Sequence, residues 1–165
     1  MLSISRLLKE EKKRELRYKE MVKSKINSPK SSKENGLWRQ FREQSRKLRN
    51  WKLTRLETWA TPGVPDVLLL DEAGCFHLVE LKFTDGNAVS LRPHQVSFLS
   101  THKSGKVWLL VKQQRPSQRD YRLYLYGGDS AVSVAMDGLQ TGPRCLLEGP
   151  IDWEKLFEEI STARS

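Results

Sequence analysis

The chain has 165 residues, 38% of them hydrophobic and 30% charged, with a formal net charge of +9. That length fits one domain with room for an appendage and is enough to bury a real core, while no apolar run reaches the roughly 18 residues that a membrane span requires. Two cysteines, Cys75 and Cys145, lie far apart and without metal-ligand spacing, which predicts free thiols in a cytoplasmic compartment and argues against structural zinc.

The charge is unevenly spread. Residues 1–56 contain 18 Lys/Arg and 6 Asp/Glu, a net of +12, whereas residues 57–165 contain 11 and 14, a net of −3. A basic arm joined to a body with a different task is the implied layout, and nucleic acid is the favoured polyanion because phosphate neutralisation drives sequence-independent binding. A solvated, salt-bridged helix would explain such a run taken alone. An anionic membrane surface fits less well, since the polar face is mixed in sign and the apolar face lacks Trp.

In chain order, residues 2–25 pattern as a helix whose thin apolar face (Leu7, Leu8, Leu16, Met21, Val22) needs docking to be stable. Its start turns charged too soon for a secretory signal. "NSPKSSKENG", Asn27–Gly36, reads as a linker. Residues 1–33 are therefore expected to form a basic helical arm and linker, and 34–165 the main domain. A helix is predicted around Leu37–Arg49, then a strand at Lys52–Thr58. Val67–Leu70 and Cys75–Phe83 read as two strands joined by the turn "DEAG". Pro93 and Gly105 bracket a helix, Val107–Lys112 and Tyr121–Tyr126 are strands, and Asp152 caps a last helix, "DWEKLFEEISTA". Strands and helices so mixed predict an α/β or α+β sandwich.

Within the second strand, alternation puts Leu78, Glu80 and Lys82 on one face and Val79, Leu81 and Phe83 on the other. Asp66 stands at the head of the neighbouring strand, near Glu80 once the hairpin closes. Two converging carboxylates suit Mg²⁺, with the Leu81 backbone carbonyl as a further ligand and Lys82 against the attacking water or phosphate. Gly63 and Pro65 fit a bend of close backbone approach. E-x-K alone says little: Glu10/Lys12 and Glu11/Lys13 repeat it in the N-terminal helix, where solvated charges are expected. A solvated face or a cross-strand ion pair is the plain alternative at Glu80 and Lys82 too.

"GVPD…ELK", followed by "AVSLRPHQVSFLSTHKSGKVWLLV", resembles the PD-(D/E)xK nucleases, in particular the VRR-NUC branch and its phage Holliday-junction-resolvase-like relatives. The resemblance covers about Glu34 to Tyr126. It implies a restriction-endonuclease-like αβββαβ core with a mixed central sheet flanked by helices. It also implies Mg²⁺-dependent phosphodiester hydrolysis, with Mn²⁺ as a substitute, often on branched DNA. By the same resemblance Asp66, Glu80 and Lys82 are catalytic and Gln95 is the additional active-site glutamine. The family adds an acid from the first core helix to the metal site; Glu34 is favoured here, Glu57, from the strand preceding Gly63, comes next, and Glu43 lies a little over two turns beyond Glu34. Glu34 and Glu57 also read as plain surface or helix-start charges.

Arg39, Arg42, Arg46, Lys47, Arg49, Lys52 and Arg55 are the expected DNA-binding surface beyond the arm. Trp38, Phe41, Trp51 and Trp59, interleaved with them, could stack on unpaired bases, although at least two are expected in the core. His94 is expected at the surface, His77 as a structural residue, and Phe98 and Leu99 in the core. The tyrosines Tyr121, Tyr124 and Tyr126 suit strand packing or an interface. A homodimer in the cytoplasm (the host's, for a phage enzyme) follows if junctions are the substrate, since paired cuts need symmetric sites. A non-catalytic DNA-binding or scaffolding protein is the alternative; a sequence-specific restriction enzyme would need insertions that the chain is too short to hold.

Overall fold

The computed structural model describes residues 12–13, 16–17, 32–56, 62–103 and 106–162. Of the arm, Lys12, Lys13, Leu16 and Arg17 are helical and exposed. The rest of the predicted 2–25 helix, together with Glu57, Trp59 and Gly105, lies outside the described residues.

Six strands form one sheet in sequence order. They are β1 (Lys52–Arg55), β2 (Val67–Leu70), β3 (Phe76–Thr84), β4 (Val107–Gln113), β5 (Arg122–Gly127) and β6 (Cys145–Leu147). Every neighbouring pair is antiparallel except β3 and β4, which run parallel. A parallel pair needs a crossover, and α2 (Pro93–Thr101) supplies it. α1 (Ser32–Ser45) precedes the sheet, α3 (Ala131–Asp137) lies between β5 and β6, and α4 (Trp153–Ser161) ends the described chain. Up to β4 the element order is thus αβββαβ, an α/β architecture with a mixed sheet.

Two separate cores show that the sheet is covered on both faces. One joins Val67, Val79, Leu81 and Leu110 to Leu37 and Phe41 of α1 and to Leu156 and Phe157 of α4. The other joins Leu109, Val111, Tyr124 and Tyr126 to Val96 and Leu99 of α2 and Val134 of α3. Leu78 packs on the second core while Val79 and Leu81 belong to the first, so the predicted alternation along β3 holds. β4 is buried at all seven positions, as a strand with helices on both sides must be.

The boundaries moved where local signals misled. α1 begins at Ser32, inside the expected linker, so the division after residue 33 falls in its first turn. Glu34 there complements the helix dipole, and a Cβ added at Gly36 would meet open space, so no close approach requires glycine at that position. α1 stops at Ser45, short of Arg49, and Asn50 then reverses the chain with φ 69°. The Asp71–Gly74 turn closes through Gly74 N–H to the Asp71 carbonyl at 3.0 Å, with Gly74 at φ 78°. Asp152 caps α4 as predicted, accepting the Lys155 N–H at 3.0 Å. The region of α3 and β6 was not predicted; these elements have seven and three residues, too short for a periodic signal.

Candidate active site at the open edge of β3

β3 runs further than β2. Val67 lies opposite Val79, so the next step outward sets Asp66 across from Glu80 and Pro65 across from Leu81. Pro65 has no N–H to continue the ladder. The Leu81 N–H instead donates to the Asp66 carboxylate, Oδ2, at 3.1 Å. Because a strand residue's own N–H and C=O point to the same edge, the Leu81 carbonyl faces this gap as well. A cavity of about 10 Å³ remains there, lined by Glu34, Trp38, Arg55, Asp66 and Leu81. It is sized for a single water or ion.

Glu80, Lys82 and Gln95 meet beside it. Glu80 is 1% exposed, Lys82 6% and Gln95 7%, so these are not solvated outer-face charges. The Lys82 ammonium lies 3.2 Å from Glu80 Oε1 and 3.7 Å from Glu34 Oε1, tying β3 to the first turn of α1. Gln95, the third residue of α2, accepts the Arg92 N–H through Oε1 at 2.9 Å. That bond orients the amide so that Nε2 donates to Glu80 Oε1. It is half of a capping box; the arginine side chain has no acceptor to supply the other half. Gly63, at φ 94°, lets the loop before Asp66 press on the start of α2, since a Cβ there would overlap the His94 carbonyl. One glycine therefore sets the distance between the Asp66 loop and the Gln95 helix.

Asp66, Glu34 and the Leu81 carbonyl are hard oxygen donors around an ion-sized cavity, and a magnesium ion fits that donor chemistry. The acids nevertheless divide. Asp66 and Glu34 line the cavity, Glu80 is engaged by Lys82 and Gln95, and no three His, Cys, Asp or Glu among the described residues form a metal-holding cluster.

Arg39, Arg42, Arg46, Lys47, Arg49 and Lys52 are all exposed, along α1 and its approach to the edge strand β1. Arg55 differs: it is half-buried, donates to Asn35 Oδ1 at 2.8 Å, and lies over Trp38 at the cavity. The expectation of base-stacking aromatics is corrected for Phe41, which is wholly buried and stacked on Phe157 with ring centres 5.1 Å apart. Trp51 packs on the same core and donates its indole N–H to Glu72 at 3.1 Å. Glu43 and His94 are exposed. Phe98 is only half-buried, whereas Leu99 is fully buried.

His77 is structural, as expected. It is buried on the far face of β3, where Trp108 Nε1 donates to its Nδ1 at 3.2 Å. The proton therefore sits on Nε2 and is donated to Asp71 Oδ2 at 2.8 Å. Burial pushes this imidazole below its ordinary range against the pull of Asp71. For Asp71, burial acts to raise the carboxyl, but the hydrogen bonds from His77 and the Cys75 N–H more than offset it and the net direction is down.

Arg55 and Trp38 were expected on the DNA-binding surface and not at the cavity, and the Arg92 N–H was not expected at the site at all. Trp38 and Arg55 line the cavity and the Arg92 N–H aims Gln95, contacts created by packing and marked by no local pattern. No family model matches the chain, and no curated protein matches it significantly.

Proposed function

We propose that the chain is a Mg²⁺-dependent DNA endonuclease that hydrolyses phosphodiester bonds, with branched DNA such as four-way junctions as its preferred substrate. The observation that carries this reading is the buried meeting of Glu80, Lys82 and Gln95 beside a strand edge where pairing stops and Asp66 lines an ion-sized cavity. A sheet that only needed to pack would place apolar residues there. Asp66, the Leu81 carbonyl and Glu34 would hold the ion, with Glu80 beside them. Bound there, Mg²⁺ supplies Lewis acidity toward a phosphoryl oxygen and water. Lys82 orients the attacking water and offsets charge developing on the phosphate. Gln95 holds Glu80 in place, and the exposed cations from Arg39 to Lys52 grip the backbone. Mn²⁺ would substitute, a homodimer would supply paired cuts, and the setting is DNA recombination or repair in the cytoplasm, a phage's host included.

Labelled four-way junction, flap, duplex and single-stranded DNA, incubated with Mg²⁺ or EDTA, test the reading beside Lys82→Ala and Asp66→Asn. Cleavage by the unaltered chain alone, and only with the ion, is the expected result. Cleavage persisting in both variants would remove the assigned site. The engagement of Glu80 by Lys82 and Gln95, with no three-acid cluster among the described residues, favours one rival: a DNA-binding or scaffolding protein without catalysis. Tight binding with no cleavage of any substrate, and affinity rising in Asp66→Asn, would select it.

A further inference from the structure

The stretch from residue 57 to 165 is acidic overall, yet three of its eleven cations fall within eight residues, at Arg115, Arg119 and Arg122. These belong to the connection between β4 and β5, and they line an open cleft of about 330 Å³ with Gln113, Gln118 and Tyr121. Glu148 is occupied by Arg122, its Oε1 2.7 Å from Nε. Among the described residues no ion pair engages Arg115 or Arg119, both exposed, and Asp120 is the other acid at the rim. Tyr121 is backed by the Lys112 ammonium, 3.8 Å from its ring centre.

The cleft lies at the candidate site's end of the sheet. In the parallel pair, Lys82 is opposite Val111 and Thr84 opposite Gln113. Two residues along the strand and one strand across place the Gln113 backbone roughly 8 Å from that of Lys82. Gln113 is also rigidly held: its Nε2 donates to the Gly86 carbonyl at 2.9 Å, in the loop that follows β3, and its Oε1 accepts from the Tyr124 hydroxyl at 3.1 Å. The wall of the cleft is thereby bonded to the loop that leaves the Glu80–Lys82 strand.

We infer that the β4–β5 cleft is a second phosphate-binding site, in which Arg115 and Arg119 hold the sugar–phosphate backbone of the nucleic-acid strand that passes Lys82. Guanidinium forks match phosphate geometry, and cations gathered in a cleft focus a polyanion toward it. The cleft adjoins α1, because the Lys112 ammonium behind Tyr121 also donates to Gln40 of that helix at 2.9 Å, so Arg115 and Arg119 would extend the grip of the α1 cations along the bound backbone. The ligand class rests on the nuclease reading; the position of the cleft does not.

Binding of duplex and single-stranded oligonucleotides, measured in EDTA across a salt series on the full chain, tests it. The variant is Arg115→Gln/Arg119→Gln, with Lys103→Gln/Lys155→Gln, also both exposed, as a control of equal net charge. Thermal midpoints of all three proteins check that each is folded. The arginine variant should bind at least about tenfold more weakly near 0.1 M salt, with a log–log salt slope shallower by about 1.8 on duplex and about 1.4 on single strands. The control should stay near the unaltered chain. A slope matching the control's would overturn the inference, as would absence of polynucleotide binding by the unaltered chain. Titration with AMP and with inorganic phosphate separates a nucleotide pocket from a backbone track. Saturable AMP binding lost in the variant, with the polynucleotide slope unchanged, also overturns it. A chain that never cleaves but shows the slope change keeps this site and loses the nuclease reading; one that cleaves without the change does the reverse.

Discussion

At the scale of single residues, Lys82 and Glu80 are two nearly buried ions whose mutual attraction offsets a large desolvation cost. Removing one partner strands the other. Lys82→Ala should therefore lose about 3 kcal/mol of stability as well as its cleavage. The double variant Lys82→Met/Glu80→Gln should recover most of the stability and none of the activity. Chemical denaturation of the two singles and the double measures the coupling; additive losses would mean that the pair is not a unit. Asp66 plays another part, since its carboxylate completes a ladder that Pro65 interrupts. Asp66→Asn keeps an oxygen for the Leu81 N–H and removes the charge, so cleavage should fall by at least about a hundredfold while the thermal midpoint stays close to that of the unaltered chain.

At the scale of elements, the Asp66 loop and α2 are fitted to each other at Gly63. Its φ of 94° and the His94 carbonyl leave no space for a side chain. Gly63→Ala should cost more than about 1 kcal/mol, and it should lower kcat more than substrate affinity, because the spacing of Asp66 and Gln95 changes while the outer cations do not. A second element-level prediction concerns the buried Asp71–His77–Trp108 chain joining the β2–β3 turn to β4. His77 is held below its ordinary 6.5 by burial, so the unfolded chain takes up a proton first. Its contribution is fully present above that value and is lost as pH falls through the window beneath it. Asp71, also held low, adds its own loss only below its ordinary 3.8. Denaturant midpoints measured between about pH 7 and pH 5 should decline, and His77→Gln, which keeps one donor and one acceptor, should flatten that decline. An equally steep decline in the variant would assign it to other groups.

For the whole molecule, the basic N-terminal third and the acidic remainder predict a division of labour between grip and chemistry. A chain beginning at Ser32 keeps α1 intact and removes the arm. Its DNA affinity should fall with a shallower salt slope, because each lost phosphate contact reduces the number of counterions released. Cleavage at saturating DNA should change much less. An unchanged slope would mean that the arm's charges are solvated and take no part in binding.

Much of this protein was legible in its residues. Strand alternation put Glu80 and Lys82 on one face of β3, the "DEAG" turn paired β2 with β3, and Asp152 marked the start of α4; these are local rules acting over a few positions. The αβββαβ order was likewise anticipated through the resemblance, and Gln95, expected near Glu80 on the same ground, does bond to it. Glu34 was the favoured acid from α1, but its sequence context did not separate it from a plain helix-start charge; the packing of Leu37 and Phe41 on the sheet is what brings it to Lys82. Nor could any window of sequence show that Arg55 and Trp38 would share a cavity with Asp66, or that the Arg92 N–H would aim Gln95. Periodicity determines which side of an element a residue takes. Which elements then meet, and at what distance, is decided by how two cores pack on opposite faces of a twisted sheet, and the candidate site lies at such a meeting.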